Sequence, residues 1–180
     1  SLLGMLKKKN DYKNIFLLYI FIMKMEKNNV LTFGAISGAA LIYSYYYFLK
    51  DKTSSEIQKY WGSIDGNTRE FYKLSMFFCL LGMLKIVYDI HNSSKKDFTD
   101  EAYGFFLLIV VSMFYLPLTI QYTKKPSTLL FISIVSTLFF VALGSLILYK
   151  NYQSIGSGYL MFHLFCLDLF YWSYSFFKNY

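Results

Sequence analysis

Apolar residues in this sequence gather in long blocks, without the i, i+3, i+4 spacing of an amphipathic helix or the alternation of a half-buried strand. Five such blocks follow one another, at residues 30–49, 72–90, 103–122, 128–149 and 158–177. A hydrocarbon layer of about 30 Å takes roughly 20 residues of helix, and inside it the backbone must satisfy its own hydrogen bonds. Barrel strands would be shorter and alternating. The pattern predicts an all-α integral membrane protein, a single bundle of five transmembrane helices occupying residues 29–180.

Residues 1–28 read differently. A basic stretch precedes an apolar run at 15–23, too short to span and reminiscent of a secretory signal, yet no small-residue cleavage site follows. The segment is expected to be an N-terminal extension. It is either an interfacial amphipathic helix or a translated upstream piece, with Met23 or Met25 as the true start.

The polar connections support this layout. Between the first two blocks a short surface helix is expected over 54–61, and Asn67 with Glu70 three residues on forms an N-cap signal for the second span. Thr99 followed by Asp100 and Glu101 does the same for the third, with acids suited to the helix dipole. "KKPS" makes a tight hairpin between spans three and four, and "NYQSIGSG" links four and five.

Composition agrees. The chain is 56% hydrophobic, 22% aromatic and only 16% charged, too little charge for a water-facing surface. Its net charge of +7 comes from lysines scattered at block ends, which fits anionic headgroups and not nucleic acid. From Lys24 onward, eight basic residues fall on the side holding the C-terminus and five on the other, which points to a cytoplasmic C-terminus. Counting Lys7, Lys8, Lys9 and Lys13 as well turns the balance to eight against nine. The tyrosines at 43 and 45–47, and Tyr171, Trp172 and Tyr174, are expected to form an interfacial belt.

A few polar residues interrupt the blocks. Asp168 lies near the middle of the fifth, where a short carboxylate cannot reach water and must be neutral, paired or facing a wet cavity. Lys85 lies nearer the end of the second. Snorkelling with Asp89 at i+4 is the ordinary reading, and the sharper one turns Lys85 inward toward Asp168. His163 is a third candidate, but it stands five residues from Asp168, roughly 140° around an α-helix, so the two should not share a narrow face. Lys85, Asp168, His163 and Asp89 are therefore the expected intramembrane polar site. Gly34 and Gly38 form a GxxxG pair, and Ser75, Gly82 and Gly144 mark further packing faces. Pro117 should free the carbonyl of Met113 and kink the third span. Cys79 and Cys166 lack any metal or redox spacing.

Two histidines cannot build a multi-histidine metal site, and GxSxG, HExxH and P-loop patterns are absent from the sequence. No catalytic residue, metal or cofactor is expected, and an enzyme is the weaker class. The five-span layout, small size and aromatic richness resemble the tryptophan-rich sensory/translocator family, which binds porphyrins and sterols. This chain has two tryptophans and lacks that family's Trp-Pro-rich loop and helix, so the resemblance is one of topology. The expected function is a non-enzymatic protein whose intramembrane polar site binds or passes a small solute or proton. The alternative is a scaffold subunit of a larger membrane complex, and a lipid- or sterol-binding sensor or lipid enzyme stands further off. Expected partners are the bilayer and, through the small-residue faces, other helices in a homo- or hetero-oligomer.

Overall fold

The computed structural model describes residues 25–62, 64 and 66–179, so the N-terminal extension read at 1–28 lies almost wholly outside the described residues. Among the described residues every regular element is a helix. We number them α1 (Lys27–Leu49), α2 (Ser54–Tyr60), α3 (Gly66–Asn92), α4 (Thr99–Lys124), α5 (Thr128–Tyr152) and α6, which starts as Ile155–Phe162 and ends as Ser173–Asn179. Two stretches are wound as π-helix, Phe106–Val110 within α4 and His163–Trp172 within α6.

Four helices, α3 to α6, are long and apolar enough to cross a membrane. The fifth expected span, α1, has 23 residues but is not among them, because Tyr43, Ser44 and Tyr45 to Tyr47 dilute its C-terminal third. The bundle is apolar outside as well as inside. Leu74, Phe77, Leu80 and Leu84 of α3 and Ile36 and Ile42 of α1 are exposed, a surface suited to lipid and not to water.

Helix α5 is central, touching α3, α4 and α6, while α3 packs along α6 and α1 lies against α4 and α3. Glycines set the closest approaches. A Cβ on Gly156 would lie 2.9 Å from the Gly82 Cα, and one on Gly144 would lie 2.7 Å from the Gly104 carbonyl oxygen. Neither crossing has room for a side chain. By contrast a Cβ on Gly34 would rest 3.4 Å from the Phe105 ring and one on Gly38 would meet nothing within 4 Å. The GxxxG pair is therefore only half engaged.

The ends of the bundle are stitched by polar contacts. At one end Lys27 Nζ donates to the carbonyls of His91 and Ser93 at 2.8 and 3.0 Å, and Met25 N donates to Thr99 Oγ1 at 3.3 Å. At the other, Trp172 Nε1 donates to the Tyr60 carbonyl at 3.3 Å and Ser175 Oγ to the Gly62 carbonyl at 2.9 Å. These two bonds hold α2 across the bundle mouth. Helix α2 itself starts on a capping box, Thr53 Oγ1 accepting from Glu56 N at 3.3 Å while Glu56 Oε2 accepts from Thr53 N at 2.9 Å.

Two expected caps are corrected. Helix α3 already runs from Gly66, so Asn67 is its second residue and Glu70 pairs with Lys73 at 2.8 Å. Thr99 is the first residue of α4 and Phe98 its N-cap; the carboxylate just before it, Asp97, accepts at Oδ1 from Thr99 N at 3.0 Å and from its hydroxyl at 2.6 Å. The α5–α6 link is also shorter than its sequence suggested. Gln153 ends α5 at φ 38°, and Ser154 opens α6 with a capping box to Ser157.

Candidate functional site

The site grows from the antiparallel seam between α3 and α6. Starting at the Gly82–Gly156 crossing, the seam continues through Cys79 Sγ on the Tyr159 carbonyl at 3.7 Å. Ser75 Oγ then stands 2.9 Å from His163 Nδ1, and the Tyr72 hydroxyl donates to Asp168 Oδ1. Because small residues let the backbones touch at one end, the larger polar side chains are brought into register at the other.

Asp168 and His163 do meet, contrary to the α-helical expectation. His163 Nε2 is 3.4 Å from Asp168 Oδ1. The reason is the π winding of His163–Trp172: bonding from i to i+5 stacks residues five apart instead of turning them roughly 140° away. In the tautomer that carries the ring proton on Nε2, Ser75 donates to Nδ1 and the Nε2–H faces the carboxylate. A polar chain thus runs Ser75, His163, Asp168, Tyr72, with Tyr72 also edge-on to the imidazole at 5.0 Å. Both contacts fall on Oδ1, and Oδ2 makes no hydrogen bond among the described residues.

Asp168 borders a cavity of about 220 Å³ to which every helix contributes. Its aromatic lining is Tyr45 of α1, Tyr60 of α2, Trp61 just beyond it, Tyr72 of α3, Tyr115 of α4 and Trp172 of α6, and α5 adds Leu138 and Val141. Asp168 brings the lining's one formal negative charge, and no lysine or arginine lines it. Trp172 is only 3% exposed, so it belongs to this wall and not to an interfacial belt, whereas Tyr43, Tyr46, Tyr47, Tyr171 and Tyr174 are exposed as a belt would be.

Lys85 does not reach this site. Its ammonium pairs with Asp89 one turn away and lies 5.5 Å from the Tyr88 ring centroid, with about half of the side chain exposed. The Lys85 Cβ sits at the Gly156 crossing, twelve residues along α6 from Asp168, on the order of 15 Å. The inward reading failed because depth was counted from the ends of the apolar blocks, while the glycine crossing sets the real register. Pro117 lies inside α4, about two turns beyond its π stretch; that stretch closes with Val111 N on the Phe106 carbonyl at 3.3 Å.

A second polar cluster escaped the sequence reading. Glu101 is fully buried, with Lys95 Nζ at 2.9 and 3.2 Å from its two oxygens and the Tyr152 hydroxyl donating to Oε1 at 2.9 Å. In the sequence it is one of two adjacent first-turn acids, and nothing local marks it as the one turned inward. No protein-family model matches this sequence, and none of the curated proteins or solved structures shows a significant match to it.

Proposed function

We propose that the protein is a five-span, non-enzymatic membrane protein that holds a small solute in the Asp168 cavity. One observation carries the reading: every helix sends side chains to one partly open cavity whose wall is aromatic and aliphatic apart from a few convergent polar groups. That is the makeup of a small-molecule site. Support for α1 as the fifth span comes from its 23-residue length and its outward Ile36 and Ile42. The lysine balance from Lys24 onward favours a cytoplasmic C-terminus.

Thermal unfolding of the detergent-solubilised protein with a panel of small cationic, neutral and anionic solutes tests the reading. At least one class should raise the midpoint of the native protein but not that of Val141→Trp, which fills the cavity; Leu138→Phe is the milder substitute. A panel with no stabilising member ends the proposal.

The scaffold alternative has one observation in its favour. The open face at Gly38 belongs to a groove of about 520 Å³ between α1 and α3, also lined by Leu31, Ala35, Leu84 and Val87. Cross-linking through Gly38→Cys in native membranes should give a discrete adduct if a partner helix occupies it.

A further inference from the structure

We infer that the cavity's ligand is a small organic ammonium ion, its charge beside Asp168 and its methyl or methylene groups on the surrounding aromatic rings. This rests on the solute-binding reading above and names the solute's chemical class.

Charge comes first. The Asp168 carboxylate has one oxygen engaged by Tyr72 and His163, and the cavity that Asp168 lines has no lysine or arginine in its wall. An anion would meet like charge and no counter-charge. A neutral ligand would leave the carboxylate with the Tyr72 and His163 contacts but no counter-charge in the cavity. A cation completes the pair.

The wall then decides which cation. A bare metal ion takes several oxygen ligands, and no group of three potential ligating side chains occurs among the described residues. The six tyrosines and tryptophans around the cavity instead offer π faces, whose negative quadrupole attracts ammonium groups and suits quaternary ones especially. The Tyr72 O–H is already donated to Asp168, so what remains for a ligand is its ring and the accepting side of its oxygen, both of which suit a cation. Size sets the limit. A cavity of about 150 Å³ takes a benzene-sized molecule, so 220 Å³ takes a cation of roughly six to ten non-hydrogen atoms.

Three probes separate the possibilities on the full chain in detergent or nanodiscs. These are choline, its uncharged carbon isostere 3,3-dimethylbutan-1-ol, and acetate. Trp61 and Trp172 are the sequence's two tryptophans and both line the cavity, so occupancy is read directly from tryptophan emission, with calorimetry for affinity. Choline should bind about tenfold or more tighter than its isostere, and acetate should not bind. Asp168→Asn should erase that preference while the isostere still binds, and Trp172→Leu should weaken both. Equal binding of choline and isostere by the native protein would overturn the cation assignment and leave the cavity a binding site. That comparison needs no variant. Silence from all three, together with a panel that stabilises nothing, would overturn the binding reading itself.

Discussion

His163 and Asp168 stand five residues apart in α6, yet their side chains meet at 3.4 Å because the helix between them is π-wound. With Tyr72 on the same carboxylate oxygen, the three residues act as one unit. Tyr72→Phe and Asp168→Asn should therefore be non-additive by about 1–3 kcal/mol in a mutant cycle read by unfolding in mixed micelles. Lys85→Met with Asp168→Asn should add to within about 0.5 kcal/mol, since the two sites share no partner. Coupling between Lys85 and Asp168 would restore the inward reading of the lysine.

The glycine crossings make a contrast within one residue type. Gly82→Ala drives a methyl group into the Gly156 carbonyl, where backbone faces backbone and cannot yield. It should destabilise by about 1–3 kcal/mol or more. Gly38→Ala meets open space and should change stability by less than about 0.5 kcal/mol. Equal effects would mean that the α3–α6 seam is not the tight one.

At the far end of the bundle, Lys95→Met strands the buried Glu101 carboxylate with only the Tyr152 hydroxyl. A loss of about 3 kcal/mol is expected, largely recovered when Glu101→Met removes the carboxylate too. Tyr152→Phe should cost about 1–2 kcal/mol. If the double variant is no better than Lys95→Met alone, the ion pair is not what that end depends on.

The roof helix α2 should be sensitive to acid. Glu56 is held below its ordinary value of 4.5, chiefly by the Thr53 backbone N–H and then by the Thr53 side chain. A lowered carboxylate favours the folded helix above its unfolded value and loses that contribution as pH falls through the folded one. Acrylamide should thus quench Trp61 more readily as pH drops below the usual glutamate range. Thr53→Ala should raise quenching at neutral pH and flatten this dependence.

Topology is checked by labelling single cysteines from either side of sealed vesicles, in a Cys79→Ala/Cys166→Ala background. Ser55→Cys and Lys125→Cys should react from one side, Lys95→Cys and Asn151→Cys from the other. Ser55 and Lys95 reacting from the same side would remove a span.

The five apolar blocks all lie within helices of the structure, because unbroken apolar runs leave a backbone in lipid little alternative to the helix. Their ends were less legible. Helix α3 starts at Gly66, within two residues of the N-cap signal read at Asn67, but α6 runs back to Ile155 through residues read as a link, since polar residues extend a helix that packing has already begun. Asp168 stood out in the sequence because a carboxylate in an apolar block needs a partner. The identity of that partner did not, for it depends on two things without a sequence mark: the π winding of α6, and the register set where Gly82 meets Gly156. Trp172 was misread for a related reason. Its position near a block end suited a belt, and only the packing of α2 over the mouth puts it inside.

The α3–α6 seam also bears on how such a chain is made. Tyr72 and Asp168 are 96 residues apart, so α3 leaves the ribosome long before the helix that completes its polar face. Until then Tyr72 and Ser75 have no carboxylate or imidazole to meet, and it is α6 that brings both groups. Synthesis therefore runs through an interval in which the polar groups of the half-built seam lack their final partners, and α4 and α5 are the helices made in between. A translational pause or an arrested chain ending before residue 155 would catch the protein in that state.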